Sequence, residues 1–173
     1  MKLQNWWFTT LLGTEESILP PLKGDIKADV VIVGAGAAGL AAAHRFIDKK
    51  LKVVILEKNI CGGDTSGKSA GFLTPDSELE LSQLIRRFGI TGAADLWKIA
   101  TTGVVRYTGT FGIDALLYCQ GVKKLLLENG IEIYESSEVV KIEDHCVRTH
   151  LGSVKADQVI FCADKLQHEL THY

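Results

Sequence analysis

The stretch VGAGAAG, Val33 to Gly39, limits what this chain can fold into more than any other segment. Gly34, Gly36 and Gly39 are spaced as G-x-G-x-x-G. The first glycine permits a tight turn from strand to helix, the second lets backbone approach a pyrophosphate, and the third lets the helix lie close on the strand. A bound phosphate would then sit at the positive end of the helix dipole. The flanking residues supply the required context. Asp29 to Val33 is an apolar, β-branched run suited to a strand buried on both faces. Ala37 to Lys50 reads as a helix, and Lys52 to Leu56, KVVIL, as a second buried strand, which completes a βαβ unit. Glu57 follows that strand, where a carboxylate can accept both hydroxyls of an adenosine ribose and would repel a 2′-phosphate. NADP is disfavoured on that ground, while NAD, FAD and a tight turn without ligand all stay open.

Composition narrows the class of partner. Nineteen Lys and Arg against 21 Asp and Glu leave a net charge of -2, without the basic excess of a phosphate-backbone binder, so no nucleic acid partner is expected. Cys61, Cys119, Cys146 and Cys162 are widely spaced and form no CxxC pair, which suits reduced thiols in a cytoplasmic protein. NWWFTTLLG, Asn5 to Gly13, is too broken and aromatic for a signal peptide. Val30 to Ala43 is uncharged but shorter than the roughly 20 residues that span a bilayer.

Residues 1–27 read as an N-terminal arm, with Pro20-Pro21 and Gly24 leading into a domain over 28–173. Asn59 to Pro75 is a long loop rich in Gly, Ser and Thr, and its length makes it a candidate for function. Ser77 with Glu80 forms a capping box ahead of Leu81, Leu84, Ile85 and Phe88, a helix that Gly89 ends. Another helix is expected from Thr91 to about Val105. Asp114 can cap a third, with Leu117, Tyr118, Gly121, Val122, Leu125 and Leu126 as its apolar stripe and Lys123-Lys124 on its wet face. The period then becomes two, and strands are expected over 131–134, 138–143, 146–150 and 159–162. The fold class that follows is α/β: a Rossmann-like parallel sheet with flanking helices and a small β-meander inserted late.

The loop CGGDTSGKSAGFLTP, Cys61 to Pro75, suits a flavin, whose long spine must be gripped by backbone N–H groups and hydroxyls. Here the chain resembles the FAD-dependent oxidoreductases of the D-amino-acid oxidase type, which include glycine, sarcosine and glutamylputrescine oxidases. The resemblance is carried by ADVVIVGAGAAGLAAAHRF, by VVILEKNICGGDTSGKSAG, by TFGIDALLYCQGVKKLLLENGIEIYESSEVVKIE and by the late GSVKADQVIFCAD. It implies that FAD is the cofactor, with Gly34, Gly36, Ala37, Ala38 and Gly39 at the pyrophosphate turn and Glu57 and Lys58 at the ribose. Thr65, Ser66 and Gly71 match the second flavin-contacting segment, and Val139 the residue whose backbone meets the adenine. The implied function is the FAD-binding part of an oxidoreductase that oxidises a small amine or amino acid by hydride transfer to flavin.

Members of that family are longer, so a substrate domain is expected to be largely missing here, with a further segment absent between about Val104 and Arg106. The apolar faces it would cover, Trp6 and Trp7 included, are then expected to promote self-association. Cys162-Ala163-Asp164 stands where the family has alanine and glycine. Two further readings stay open, a truncated dinucleotide-binding protein without turnover and an NAD-binding domain. No catalytic residue is named. The last residues hold His168-Glu169-Leu170-Thr171-His172, a literal H-E-x-x-H, but no third ligand follows it, and no metal site is expected. Cys61 is read as a small residue rather than a reactive thiol, and His145-Cys146 as part of a polar turn.

Overall fold

The computed structural model describes residues 18–73, 81–98 and 111–163. Trp6, Trp7, Ser77, Glu80, the segment around Val104, Asp164 and the histidines at 168 and 172 fall outside them. Two compact units are formed, one by Met1–Ala70 with Asp114–Tyr173 and one by Gly71–Ile113.

The first unit is built on a six-stranded sheet. In chain order its strands are β1 (Gly24–Val33), β2 (Val53–Leu56), β5 (Glu132–Tyr134), β6 (Val139–Glu143), β7 (Cys146–Thr149) and β8 (Gly152–Phe161). Their order across the sheet is β5-β2-β1-β8-β7-β6. β5, β2, β1 and β8 run parallel, while β7 is antiparallel to both β8 and β6. The late meander is thus a continuation of the parallel sheet. It is joined by β8, which pairs with β1 from Gly152 to Phe161 and with β7 from Ser153 to Lys155. Val154 and Ala156 are buried while Lys155 and Asp157 are exposed, so the strand starts well before the expected 159–162, with an alternation in which the small Ala156 is a weak apolar signal.

Val30 to Val33 and Val53 to Leu56 are all buried, as parallel strands covered on both faces must be. Alternate residues serve different cores. Val30, Ile32, Val53 and Ile55 pack with Leu40 and Ala43 of helix α1 (Ala37–His44), and with Cys119 and Leu126 of helix α3 (Ala115–Glu128). Val31, Val33, Val54 and Leu56 pack instead with Leu22, Val139, Val147 and Val154. A register slip of one residue would exchange these two sets, and each fully buried Val, Ile or Leu is worth about 1.5–3 kcal/mol, so the register of β1 is fixed from both sides.

α1 is shorter than its hydrophobic pattern suggests. After His44 the backbone continues as turns whose N–H groups bond three residues back, Arg45 to Ala42, Phe46 to Ala43 and Ile47 to His44, a tightened end that keeps Phe46 and Ile47 against the core. α3 starts where expected, with Asp114 Oδ1 accepting from the N–H groups of Leu116 and Leu117. Its buried face differs from the expected stripe. Ala115, Leu116, Cys119, Gln120, Lys123 and Leu126 are buried, while Tyr118 is 57% exposed and Leu125 40%. Lys124 is exposed as expected, but Lys123 is buried.

The second unit holds β3 (Phe72–Leu73) paired with β4 (Phe111–Gly112), and the helical stretch α2 (Leu81–Lys98). Gly89 interrupts α2 with φ of 70° and ψ of 173°, at the residue where the sequence pattern ends one helix and begins the next. Among the described residues no helix is long and apolar enough to cross a membrane.

The turn between β6 and β7 places Asp144 at φ of 44° and His145 at φ of 63°. Positive φ at both central residues favours Asn-Gly and costs a residue with a Cβ. Replacing Asp144 by Asn together with His145 by Gly should stabilise the fold by about 1 kcal/mol, seen as a higher urea midpoint at unchanged slope.

Candidate dinucleotide site

The C-terminal end of β1 turns into α1 through Gly34, Ala35 and Gly36. Gly34 has φ of 101°, and a Cβ there would lie 2.9 Å from the Cys162 carbonyl oxygen, because Cys162 N–H bonds Val33 O and brings the end of β8 alongside. A Cβ on Gly39 would overlap the Gly34 oxygen. The first and third glycines therefore hold the turn, the helix and β8 together, while the second keeps space open. A Cβ on Gly36 would stand 3.0 Å from Ser66 Oγ.

That serine belongs to the long loop after β2. Ser66–Lys68 is a short 3₁₀ turn preceded by Thr65, and Ser66 Oγ accepts from the Ala37 N–H at 2.9 Å. α1 has no side-chain cap of its own and no acidic residue in its first turn, so the hydroxyl of a distant loop stands at its positive end. Ala37 and Ala38 are exposed there.

Glu57 is buried, and its carboxylate bridges two backbone N–H groups, Ala35 to Oε2 at 2.7 Å and Asn59 to Oε1 at 2.9 Å. Each oxygen keeps a further lone pair. Its backbone is tied as tightly, the Glu57 N–H to Tyr134 O and the Ser137 N–H to Glu57 O. Ser137 lies two residues before Val139, so Glu57 and the start of β6 are neighbours. Lys58 turns away into an ion pair with Asp64 at 2.7 Å, and Asp64 also meets Lys68 at 3.0 Å. The bond to Asp64 raises the Lys58 ammonium above its usual range, and Lys58 and then Lys68 lower the Asp64 carboxyl. Gly71 belongs to the second unit, with φ of 74° and its carbonyl oxygen accepting from Ile113 N–H.

The root of the loop is held by side chains that the sequence pattern does not single out. Glu135, completely buried after β5, accepts the Cys61 N–H at 2.7 Å and the Leu19 N–H at 2.6 Å. The Lys123 ammonium stands 3.3 Å from both its oxygens. Gln120 Nε2 donates to the Cys61 oxygen at 2.7 Å. Cys61 itself is buried, and burial, then the Glu135 charge, pushes its thiol well above the ordinary range, which makes it a small packing residue and a poor nucleophile.

These residues suit a dinucleotide: an exposed helix N-terminus without an acidic residue or a cap side chain of its own, a turn in which a Cβ would fill the space at Gly36, and a buried carboxylate with lone pairs to spare. Comparison with known proteins points the same way. Residues 29–101 match the model of the DAO family, described as FAD dependent oxidoreductase. Thiamine thiazole synthase of Methanococcus maripaludis is 36% identical over 96 residues, covering 52% of this chain and 37% of that protein. The probable oxidoreductase OrdL of Haemophilus influenzae is 36% identical over 81 residues, covering 47% of this chain and 19% of that protein. Glycine oxidase from Geobacillus kaustophilus shares the fold with a TM-score of 0.61 at 20% identity, over 79% of this chain and 55% of that one. The chain thus spans little more than a third of the first relative's length. Over residues 29–101 it is similar to the FAD dependent oxidoreductases of the DAO family, and FAD is the cofactor that this similarity indicates.

Proposed function

We propose that this chain is the FAD-binding part of an oxidoreductase that acts on an amine or amino acid. The observation that carries the reading is the joint placement of Ser66 Oγ and the open Gly36 turn at the N-terminus of α1, with Glu57 at the end of the neighbouring strand. In this reading the first turn of α1, Ala37 to Gly39, borders the pyrophosphate, with the Ala37 N–H held by Ser66 Oγ, and the helix dipole favours negative charge there. Thr65 and Ser66 add hydroxyls from the loop. The lone pairs of Glu57 left over from Ala35 and Asn59 accept the ribose hydroxyls, and the backbone at Val139 borders the adenine, with Lys58 at the rim. When bound, FAD supplies the acceptor for a hydride from the carbon beside a substrate amine. This chain's residues bind and orient it. Gly71 belongs to the other unit.

The direct test is the visible absorbance of the purified chain before and after incubation with FAD and desalting, followed by amine-dependent reduction of an added acceptor. Flavin bands that survive desalting are the expected result, and Ser66→Ala should weaken FAD binding by about tenfold through the lost hydroxyl contact. A chain that takes up NAD and refuses FAD would overturn the reading in favour of an NAD-binding domain. Retained FAD with no amine turnover would leave the binding role and remove the amine-oxidising one.

A further inference from the structure

Glu135, Lys123 and Gln120 form a buried polar cluster at the root of the loop after β2. Lys123 and Glu135 are 4% and 0% exposed, an ion pair taken wholly out of water. Such a pair contributes little net stability over an apolar pair of the same size, so its presence calls for another role. Its geometry supplies one. Both polar atoms of the Cys61 backbone are clamped, the N–H by Glu135 and the carbonyl oxygen by Gln120. The next residue, Gly62, donates to Ala35 O at 2.8 Å and accepts from Gly67 N–H at 2.7 Å. Gly67 directly follows Ser66, whose hydroxyl meets the N-terminus of α1. Little slack remains along this path. Gly62 has φ of 71° and its Cβ position is filled by Cys119, while that of Gly67 is filled by Gly62 O.

We infer that Glu135 and Gln120 are positioning residues for the FAD loop: by clamping Cys61, they set Ser66 at the N-terminus of α1. The inference rests on FAD binding by this site. Lys123 compensates the Glu135 charge, and the Leu19 N–H brings the segment before β1 under the same carboxylate. The cluster acts through hydrogen bonds to backbone, so an apolar replacement can restore packing without restoring the loop.

The test uses the full chain and two variants, Gln120→Leu and the double change Glu135→Leu with Lys123→Met, which removes both charges together. Amide hydrogen exchange in the absence of FAD and FAD affinity by flavin fluorescence are measured on each. The expected result is faster exchange at Cys61, Gly62, Gly67 and Ala37, with FAD affinity weaker by about tenfold or more, while exchange in β1 and β2 stays protected. Variants that keep wild-type exchange in the loop, or that loosen it yet bind FAD within twofold of wild type, overturn the positioning role. A wild-type chain that takes up no FAD overturns the functional reading itself, an outcome distinct from variants failing where wild type succeeds.

Discussion

Lys123→Met lowers the unfolding free energy by about 3–5 kcal/mol, because it leaves the Glu135 carboxylate buried without its cation. The lower figure is the better expectation, since the N–H groups of Leu19 and Cys61 still solvate that carboxylate. Adding Glu135→Leu to the same chain removes the stranded charge and should recover most of the loss. Urea unfolding of wild type, Lys123→Met, Glu135→Leu and the double variant measures this as a double-mutant cycle. A single variant as stable as wild type would mean that the pair is hydrated, contrary to its burial.

Gly39→Ala is the second large effect, expected to cost about 3 kcal/mol and to lower the melting temperature by about 6–12 °C. The added methyl would overlap the Gly34 oxygen, and relief requires α1 to lift from the turn while Cys162 Cβ, 3.4 Å from the same position, blocks one direction of escape. Lifting the helix also moves the Ala37 N–H from Ser66, so FAD affinity should fall with stability. Gly121→Ala provides the control. It is a helical position where a Cβ meets nothing within 4 Å, and alanine there should stabilise α3 by about 1 kcal/mol. Differential scanning calorimetry separates the two.

The parts of the site that were readable from sequence are those whose chemistry is local. Gly34, Gly36 and Gly39 do their work within six residues, flanked by strands whose apolar runs announce themselves, and Glu57 follows at a fixed distance along the same βαβ unit. The buried face of α3 was not readable, because two of its positions, Gln120 and Lys123, are polar residues that pattern analysis assigns to solvent. Their partners come from other segments: Cys61 lies 59 positions from Gln120, and Glu135 lies 74 from Cys61 and 116 from Leu19. Only the folded chain brings these groups together. The stripe at 116, 119, 123 and 126 does have helical spacing, so a Lys inside an otherwise apolar stripe was the available signal for a buried partner. β8 was half hidden for a related reason. The apolar side chains that its first half buries are Val154 and the small Ala156, a weak apolar signal, and that half is fixed by pairing on both sides.

That strand also dictates an order of events during synthesis. The side chain of Ser153 bonds that of Asp25, 128 positions away, so β1 leaves the ribosome long before its second neighbour exists. For that interval one edge of the apolar half of that strand, Val30 to Val33, lacks its partner, the condition under which nascent chains pair with the wrong edge. Closure of the sheet between β1 and β8 is a long-range event that must await β8, the kind of pairing that slows folding.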